Sequence, residues 1–334
     1  MQIRTVNPVA LLVALWLTPS GTAAQGGAEG RLPPPGVSDA FDHTVEYVEA
    51  GGVRVAYVSE GTGAPVVFVH GNPTSKYLWR NVIPHVSDRA RAIALDLPGM
   101  GDSERPDPAL GFAEQVRVFD AFIEALELDR VTLVLHDWGA AIGFELARRH
   151  PGKVRAVAVM EGVLPPVFPQ SSFEAMGEEM GAMFRAFKDP VRGRELVIDQ
   201  NIFIEQVLPS FINRTLTEAE MAEYRRPFAD RADREAMLKW PREIPIAGEP
   251  RDVVESMSEI HSFMTTSEIP ILLVHADPGV VVPLELVPWY EENVRNIQTA
   301  FVGQGLHFIQ EDQPDAIGRA IRDWLRRNEL DEER

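Results

Sequence analysis

Val131-Thr132-Leu133-Val134-Leu135-His136-Asp137-Trp138-Gly139-Ala140-Ala141-Ile142-Gly143 runs from apolar, β-branched residues through one polar step into a string of small ones. That is a strand, a sharp turn and a helix start, the layout of a nucleophile elbow, which lifts one side chain over a sheet. The central residue is Asp137, where a serine hydrolase carries Ser, and the first small position of the elbow holds Leu135. A carboxylate at that point can displace a leaving group from an sp³ carbon and form an ester with its substrate. Read alone, Asp137 would serve as well as the N-cap of the following helix.

The neighbouring sequence supplies the frame. Residues 66–69, 91–95, 131–135, 154–160 and 271–274 are short, mostly apolar and β-branched runs that predict buried strands. Between them lie helical segments at 113–126, with Phe112, Val116, Phe119, Ile123 and Leu126 along one face, and at 140–149. Such alternation predicts an α/β fold with a mostly parallel sheet flanked by helices. Residues 45–57, turning at Gly51-Gly52, predict an antiparallel hairpin. The alternation stops after Glu161. Residues 165–249 carry helical stretches at 173–187, 192–204 and 218–224 broken by prolines, and read as an inserted helical cap, or lid. The parallel pattern resumes at Ile271 and ends in a helix over 316–327, so 39–164 and 250–334 form one core interrupted by the cap.

Composition narrows the class. The chain has 334 residues, 45% hydrophobic and 25% charged, as soluble globular proteins do. Its 50 Asp and Glu against 32 Lys and Arg give a formal net charge of −18, which opposes nucleic acid as a partner. With no cysteine, thiol nucleophiles, zinc–thiolate sites and disulfides are excluded. At the start, Arg4 precedes the apolar run Val9-Ala10-Leu11-Leu12-Val13-Ala14-Leu15-Trp16-Leu17 and small residues up to Ala24. Residues 1–24 therefore read as a secretory signal peptide, with an uncleaved anchor as the alternative, and 25–38 as a flexible leader. The expected location is periplasmic or secreted, with no membrane contact in the mature form.

Two further elements bear on Asp137. His307, in the loop Gly303-Gln304-Gly305-Leu306-His307-Phe308-Ile309-Gln310-Glu311 just before the last helix, stands where a general base follows a nucleophile in this chain order. His43, His85, His150 and His261 read as solvated or capping, and His70 and His136 as structural hydrogen-bond partners. The loop His70-Gly71-Asn72-Pro73-Thr74-Ser75 directly follows a strand and should supply one backbone N–H of an oxyanion hole, with Trp138 supplying the other. The side-chain amide of Asn72 and the indole of Trp138 are also donors that together can clamp a halide ion without reacting with it.

With these residues in place the chain resembles the haloalkane dehalogenases of the α/β-hydrolase fold. The likeness runs through His70-Gly71-Asn72-Pro73-Thr74-Ser75, Asp96-Leu97-Pro98-Gly99-Met100-Gly101-Asp102-Ser103, His136-Asp137-Trp138-Gly139, Met160-Glu161 and Gly305-Leu306-His307-Phe308-Ile309-Gln310-Glu311-Asp312. It is closest to the subfamily with an Asp/His/Glu triad and an Asn/Trp halide pair. The resemblance implies Asp137 as nucleophile, His307 as base, and Glu161 as the acid that orients it, with Asp277 a rival for the last role. It also implies an apolar pocket lined by Phe184, Phe203, Trp240, Pro241, Ile244 and Val280, while residues 171–183 depart from the family pattern by a short insertion. The expected partners are a small halogenated alkane and a chloride or bromide ion, with no metal or organic cofactor, in a monomer. Epoxide hydrolases and coelenterazine-type cofactor-independent monooxygenases share the fold and are the alternatives.

Overall fold

The computed structural model describes residues 37–332. The expected signal peptide and all but the end of the leader lie outside the described residues. Eight strands form one sheet: β1 (Glu46–Ala50), β2 (Val53–Glu60), β3 (Pro65–Val69), β4 (Arg91–Leu95), β5 (Val131–Asp137), β6 (Val154–Gly162), β7 (Ile271–Pro278) and β8 (Ile297–Gly305). Their order is β1-β2-β4-β3-β5-β6-β7-β8, antiparallel through β1, β2 and β4 and parallel from β4 to β8. The apolar runs became central strands because both their faces are covered. Leu133 and Leu135 of β5 join the core on one face with Val67, Val69 and Ile142, while Val134 joins the other with Phe68, Ile317 and Trp324.

The structure differs from the sequence expectation where polarity masks an element. Gly303–Gly305 do not lie in a loop but end β8, an edge strand whose first residues are half-exposed and include Gln298 and Thr299. The longer helices are α1 (Phe112–Ala125), α2 (Trp138–Arg149), α3 (Glu178–Lys188), α4 (Glu218–Arg225), α5 (Glu235–Glu243), α6 (Arg251–Thr266) and α7 (Pro314–Arg327). Helix α6 was not anticipated, although Val253, Met257, Ile260 and Met264 are buried at helical spacing. In the segment between β6 and β7, the helix expected over 173–187 is split by Gly177, at φ 84°, into a single turn and α3. The one expected over 192–204 opens into two wide turns, Glu195–Asp199 and Phe203–Val207, on either side of Asn201 at φ 53°.

A buried ionic cluster fastens this helical segment to the connections that follow β3 and β8. Arg80 bonds both oxygens of Glu311, at 2.6 and 2.8 Å, and reaches Glu220 at 2.8 Å. Arg214 bonds Glu220 at 2.8 and 2.5 Å and also reaches Glu311, to which the Tyr224 hydroxyl donates. Burial pushes the Glu311 carboxyl up, but the Arg80 and Arg214 guanidiniums outweigh it and bring it down to about 2. Removing one partner leaves a buried charge unpaired, which costs about 3–5 kcal/mol. Arg214→Met is therefore expected to lower unfolding free energy by about that amount, read from urea denaturation at neutral pH; a change within ~0.5 kcal/mol, as at ordinary surface sites, would show that the cluster does not hold the segment.

Candidate active site

Asp137 ends β5 and starts α2 with φ 50° and ψ −126°, a backbone that a side-chain-bearing residue seldom adopts. Close packing enforces it. A Cβ on Gly139 would fall 2.3 Å from the Val69 carbonyl oxygen, and one on Gly71 would fall 2.0 Å from Asp137 Oδ1. Asp137 makes no side-chain cap bond to α2, so the capping alternative fails. Instead its Oδ1 accepts the Asn72 backbone N–H at 2.7 Å, and the nearby Trp138 backbone N–H adds a smaller stabilisation of the carboxylate. Its Oδ2 faces His307 Nε2 at 3.5 Å.

His307 Nδ1 lies 3.3 Å from Glu161 Oε2. Glu161, itself at φ 46° and 1% exposed, accepts three consecutive backbone N–H groups, those of Val280, Val281 and Val282, at 3.1, 2.8 and 3.1 Å. Gly279 at φ 68° makes that turn possible, and a Cβ there would meet the Val282 carbonyl oxygen at 2.4 Å. Asp277 points elsewhere, accepting from the Gln304 amide at 2.7 Å. Thus the structure brings Glu161, and not Asp277, to the imidazole. The His70 ring fixes the preceding loop, with Nε2 accepting from Leu97 N at 2.9 Å and Nδ1 2.8 Å from the Gly71 carbonyl oxygen. Burial pushes His70 below its usual value, and a neutral ring with its proton on Nδ1 satisfies both bonds. His43, His85 and His150 lie against Glu60, Asp315 and Asp120 respectively, remote from the site.

Over these groups sits a cavity of about 110 Å³. Phe184, Phe203, Pro241, Ile244 and Val280 line it as expected, with Asn72, Asp137, Trp138 and His307 at its floor. Trp240 does not. It is 1% exposed and packs behind Trp138, ring centroids 5.0 Å apart, because the next residue along α5, Pro241, takes the wall. Val163, Phe168, Met180, Met183, Phe187, Val207, Phe211, Val281 and Phe308 complete the lining, and the sequence did not single them out as pocket residues. Among the described residues Asn72 Oδ1 is buried without a partner, and its Nδ2 makes a long 3.4 Å bond to the Met237 carbonyl oxygen. Among the described residues no group of three or more His, Asp or Glu side chains is arranged to hold a metal ion.

The sheet order, the strained carboxylate at the elbow and the late histidine define an α/β hydrolase, and residues 64–314 match the alpha/beta hydrolase fold family. A haloalkane dehalogenase of Sphingobium indicum is 45% identical over 288 residues, covering 84% of this chain and 95% of the relative. One of Mycolicibacterium smegmatis is 43% identical, covering 84% and 91%. The crystal structure of haloalkane dehalogenase DbeA from Bradyrhizobium elkani superposes with a TM-score of 0.82 at 38% identity, covering 86% of this chain and 99% of that one. The chain belongs to the haloalkane dehalogenases.

Burial favours neutral His307, but the hydrogen bonds and charges of Asp137 and Glu161 prevail and raise it to about 9. The same contact, against burial, holds Asp137 below its usual value. A raised value on folding contributes stability that is complete below the ordinary histidine range and is lost as pH rises through about 9. By NMR the His307 ring should titrate near that value in the wild type and fall markedly in Asp137→Asn. An unchanged midpoint in the variant would show that the two side chains are not coupled.

Proposed function

We infer that this chain converts a haloalkane and water into an alcohol, a halide ion and a proton, through an ester on Asp137. One arrangement carries the reading: a buried carboxylate with Oδ1 held 2.7 Å from the Asn72 N–H and Oδ2 facing an otherwise apolar cavity. The halogen sits between the Asn72 amide and the Trp138 indole, whose donors stabilise the charge it gains. Oδ2 attacks the carbon from the opposite side; the new C–O bond forms as the C–halogen bond breaks and halide leaves. Oδ1 is now the ester carbonyl oxygen, already against the N–H groups of Asn72 and Trp138. Esterification also removes the Asp137 charge, one of the two that hold His307 protonated, so the ring gives up its proton to solvent, the proton the reaction releases, and becomes a base. Held by Glu161, it takes a proton from water; hydroxide adds to the ester carbonyl and the oxyanion rests on the two N–H groups. Collapse breaks the acyl–oxygen bond, the departing alkoxide takes the proton from His307, and the carboxylic acid left on Asp137 passes its proton to the ring, so that carboxylate and imidazolium are restored.

Two observations disfavour the alternatives. Tyr224, the tyrosine of the 165–249 segment, is buried on Glu311 and does not line the cavity, so it is not placed to polarise an epoxide oxygen. A cavity of about 110 Å³ is smaller than the roughly 150 Å³ that benzene occupies in an engineered apolar void, which disfavours a large polyaromatic luciferin. Incubated with 1-bromobutane, the wild type should release bromide and protons in equal amounts and Asp137→Ala neither. His307→Gln should release about one bromide per site and retain a butyl ester on Asp137, seen by mass spectrometry. Bromide release by Asp137→Ala at the wild-type rate would sink the mechanism.

We further propose that 165–249 acts as a cap, that the chain is exported and that the mature protein is a monomer. Export is supported by the order Arg4, apolar run, small residues up to Ala24, and the monomer by the net negative charge and the scattering of the large exposed apolar side chains Tyr47, Val191, Leu284 and Phe301. Among the described residues no helix is long and apolar enough to cross a membrane. Expressed with its full sequence, the chain should be recovered outside the cytoplasm beginning near Gln25; a cytoplasmic product beginning at Met1 would refute export.

A further inference from the structure

We propose that His136, the residue before the nucleophile, is a positioning residue for His307, fixing the base from beneath through its main chain. The role rests on the dehalogenase reading of the same site. Side chains of a strand alternate between its two faces. Asp137 rises into the cavity, and Leu135 packs into the core on the cavity side of the sheet. His136 instead points to the opposite face with Val134, its ring edge-on to Trp79 at 6.5 Å. From there its Nε2 meets the His307 carbonyl oxygen at 2.9 Å, and the two imidazole rings lie 4.7 Å apart. His136 therefore meets the base from the face of β5 opposite to the one from which Asp137 reaches it.

Its chemistry suits the task. A carbonyl oxygen only accepts, so Nε2 must carry the proton. The ring is 0% exposed, and its Nδ1 has no partner among the described residues. Burial and the adjacent His307 push its value down to about 3, Asp137 opposing and His70 assisting, so it stays neutral beside a cationic base. A neutral donor in that place holds the His307 backbone without drawing away the negative charge on which the ring depends. Displacing a catalytic group by about 1 Å can cost on the order of 100-fold in rate. The loss should fall on ester hydrolysis, which needs His307, and spare alkylation, which needs Asp137, Asn72 and Trp138.

The test compares His136→Leu, which lacks the donor, with His136→Gln, whose side-chain amide can reach the same carbonyl. Rapid-quench measurement with 1-bromobutane should show a bromide burst of about one equivalent in both. In His136→Leu the following turnover, divided by burst amplitude so that only folded sites count, should fall roughly 10- to 100-fold with the butyl ester accumulating. His136→Gln should restore turnover to within about threefold. Without substrate, the NMR titration of His307 should shift in His136→Leu and stay near the wild-type midpoint in His136→Gln. If His136→Leu yields no folded protein, His136→Asn, whose amide is too short to reach, takes its place with the same expectation. Burst and turnover falling together, or turnover and titration both unchanged, would overturn the role. A wild type that releases no bromide would instead overturn the dehalogenase reading, and the titration would still decide whether His136 sets the state of His307.

Discussion

Two carboxylates and one imidazole, all taken out of water, set the terms for the rest of this molecule. A buried carboxylate without compensation would take up a proton and lose its nucleophilicity. Asp137 is compensated by His307 and by the N–H groups of Asn72 and Trp138, and Glu161 by the three N–H groups at 280–282. Each of those donors exists because the chain turns sharply at that point, and the sharp turns require Gly71, Gly139 and Gly279 where a Cβ has no room. The strain at Asp137 and Glu161, both with positive φ, is held by a parallel sheet whose strands are covered on both faces.

The apolar cavity works with these charges. In surroundings of low polarity an ionic contact is worth far more than in water. Asn72 Nδ2, otherwise held by its long bond to the Met237 carbonyl oxygen, and the Trp138 indole are thus the polar donors near the point where a leaving halide gains charge. Electrostatics of this kind is local. The formal charge of −18 is spread over the surface, where salt screens it within about 10 Å, so it says little about an uncharged substrate.

Much of this was readable in the residues, and the parts that were not share a physical cause. Central parallel strands are buried on both sides and appear as apolar runs, so β3 to β7 and the elbow could be read directly. An edge strand mixes polar and apolar residues, so the first part of β8 carries no strand signal and its last three residues, 303–305, read as part of a loop. Glu161 followed from resemblance, because a single Glu at a strand end carries no spacing that reveals the N–H groups awaiting it. The cavity wall was read only in part. Whether Met183 or Phe187 faces a cavity or a neighbouring helix depends on how α3 is rotated, and the split at Gly177 reset that rotation. Trp240 and Pro241 show the same limit, since one step along a helix turns a side chain by about 100° and exchanges wall for core.

The helical segment over the cavity is held unequally along its length. Near His307, Phe308 N bonds the Phe211 carbonyl oxygen at 3.2 Å, Asp312 accepts the N–H groups of Asn213 and Arg214, and the Arg80–Glu311–Arg214–Glu220 cluster lies buried beneath. Separating those groups would leave charges unpaired in an apolar setting, at a cost of several kcal/mol. At α3 the ionic contact is the exposed pair of Arg185 and Glu174, worth at most about 1 kcal/mol, and the walls there are Met180, Met183 and Phe184, side chains that move by rotamer change. Any widening of the cavity thus costs least on the α3 side, while the side that positions His307 stays fixed. The division places apolar walls held by packing on the α3 side of the cavity and a buried ionic clamp beside the base.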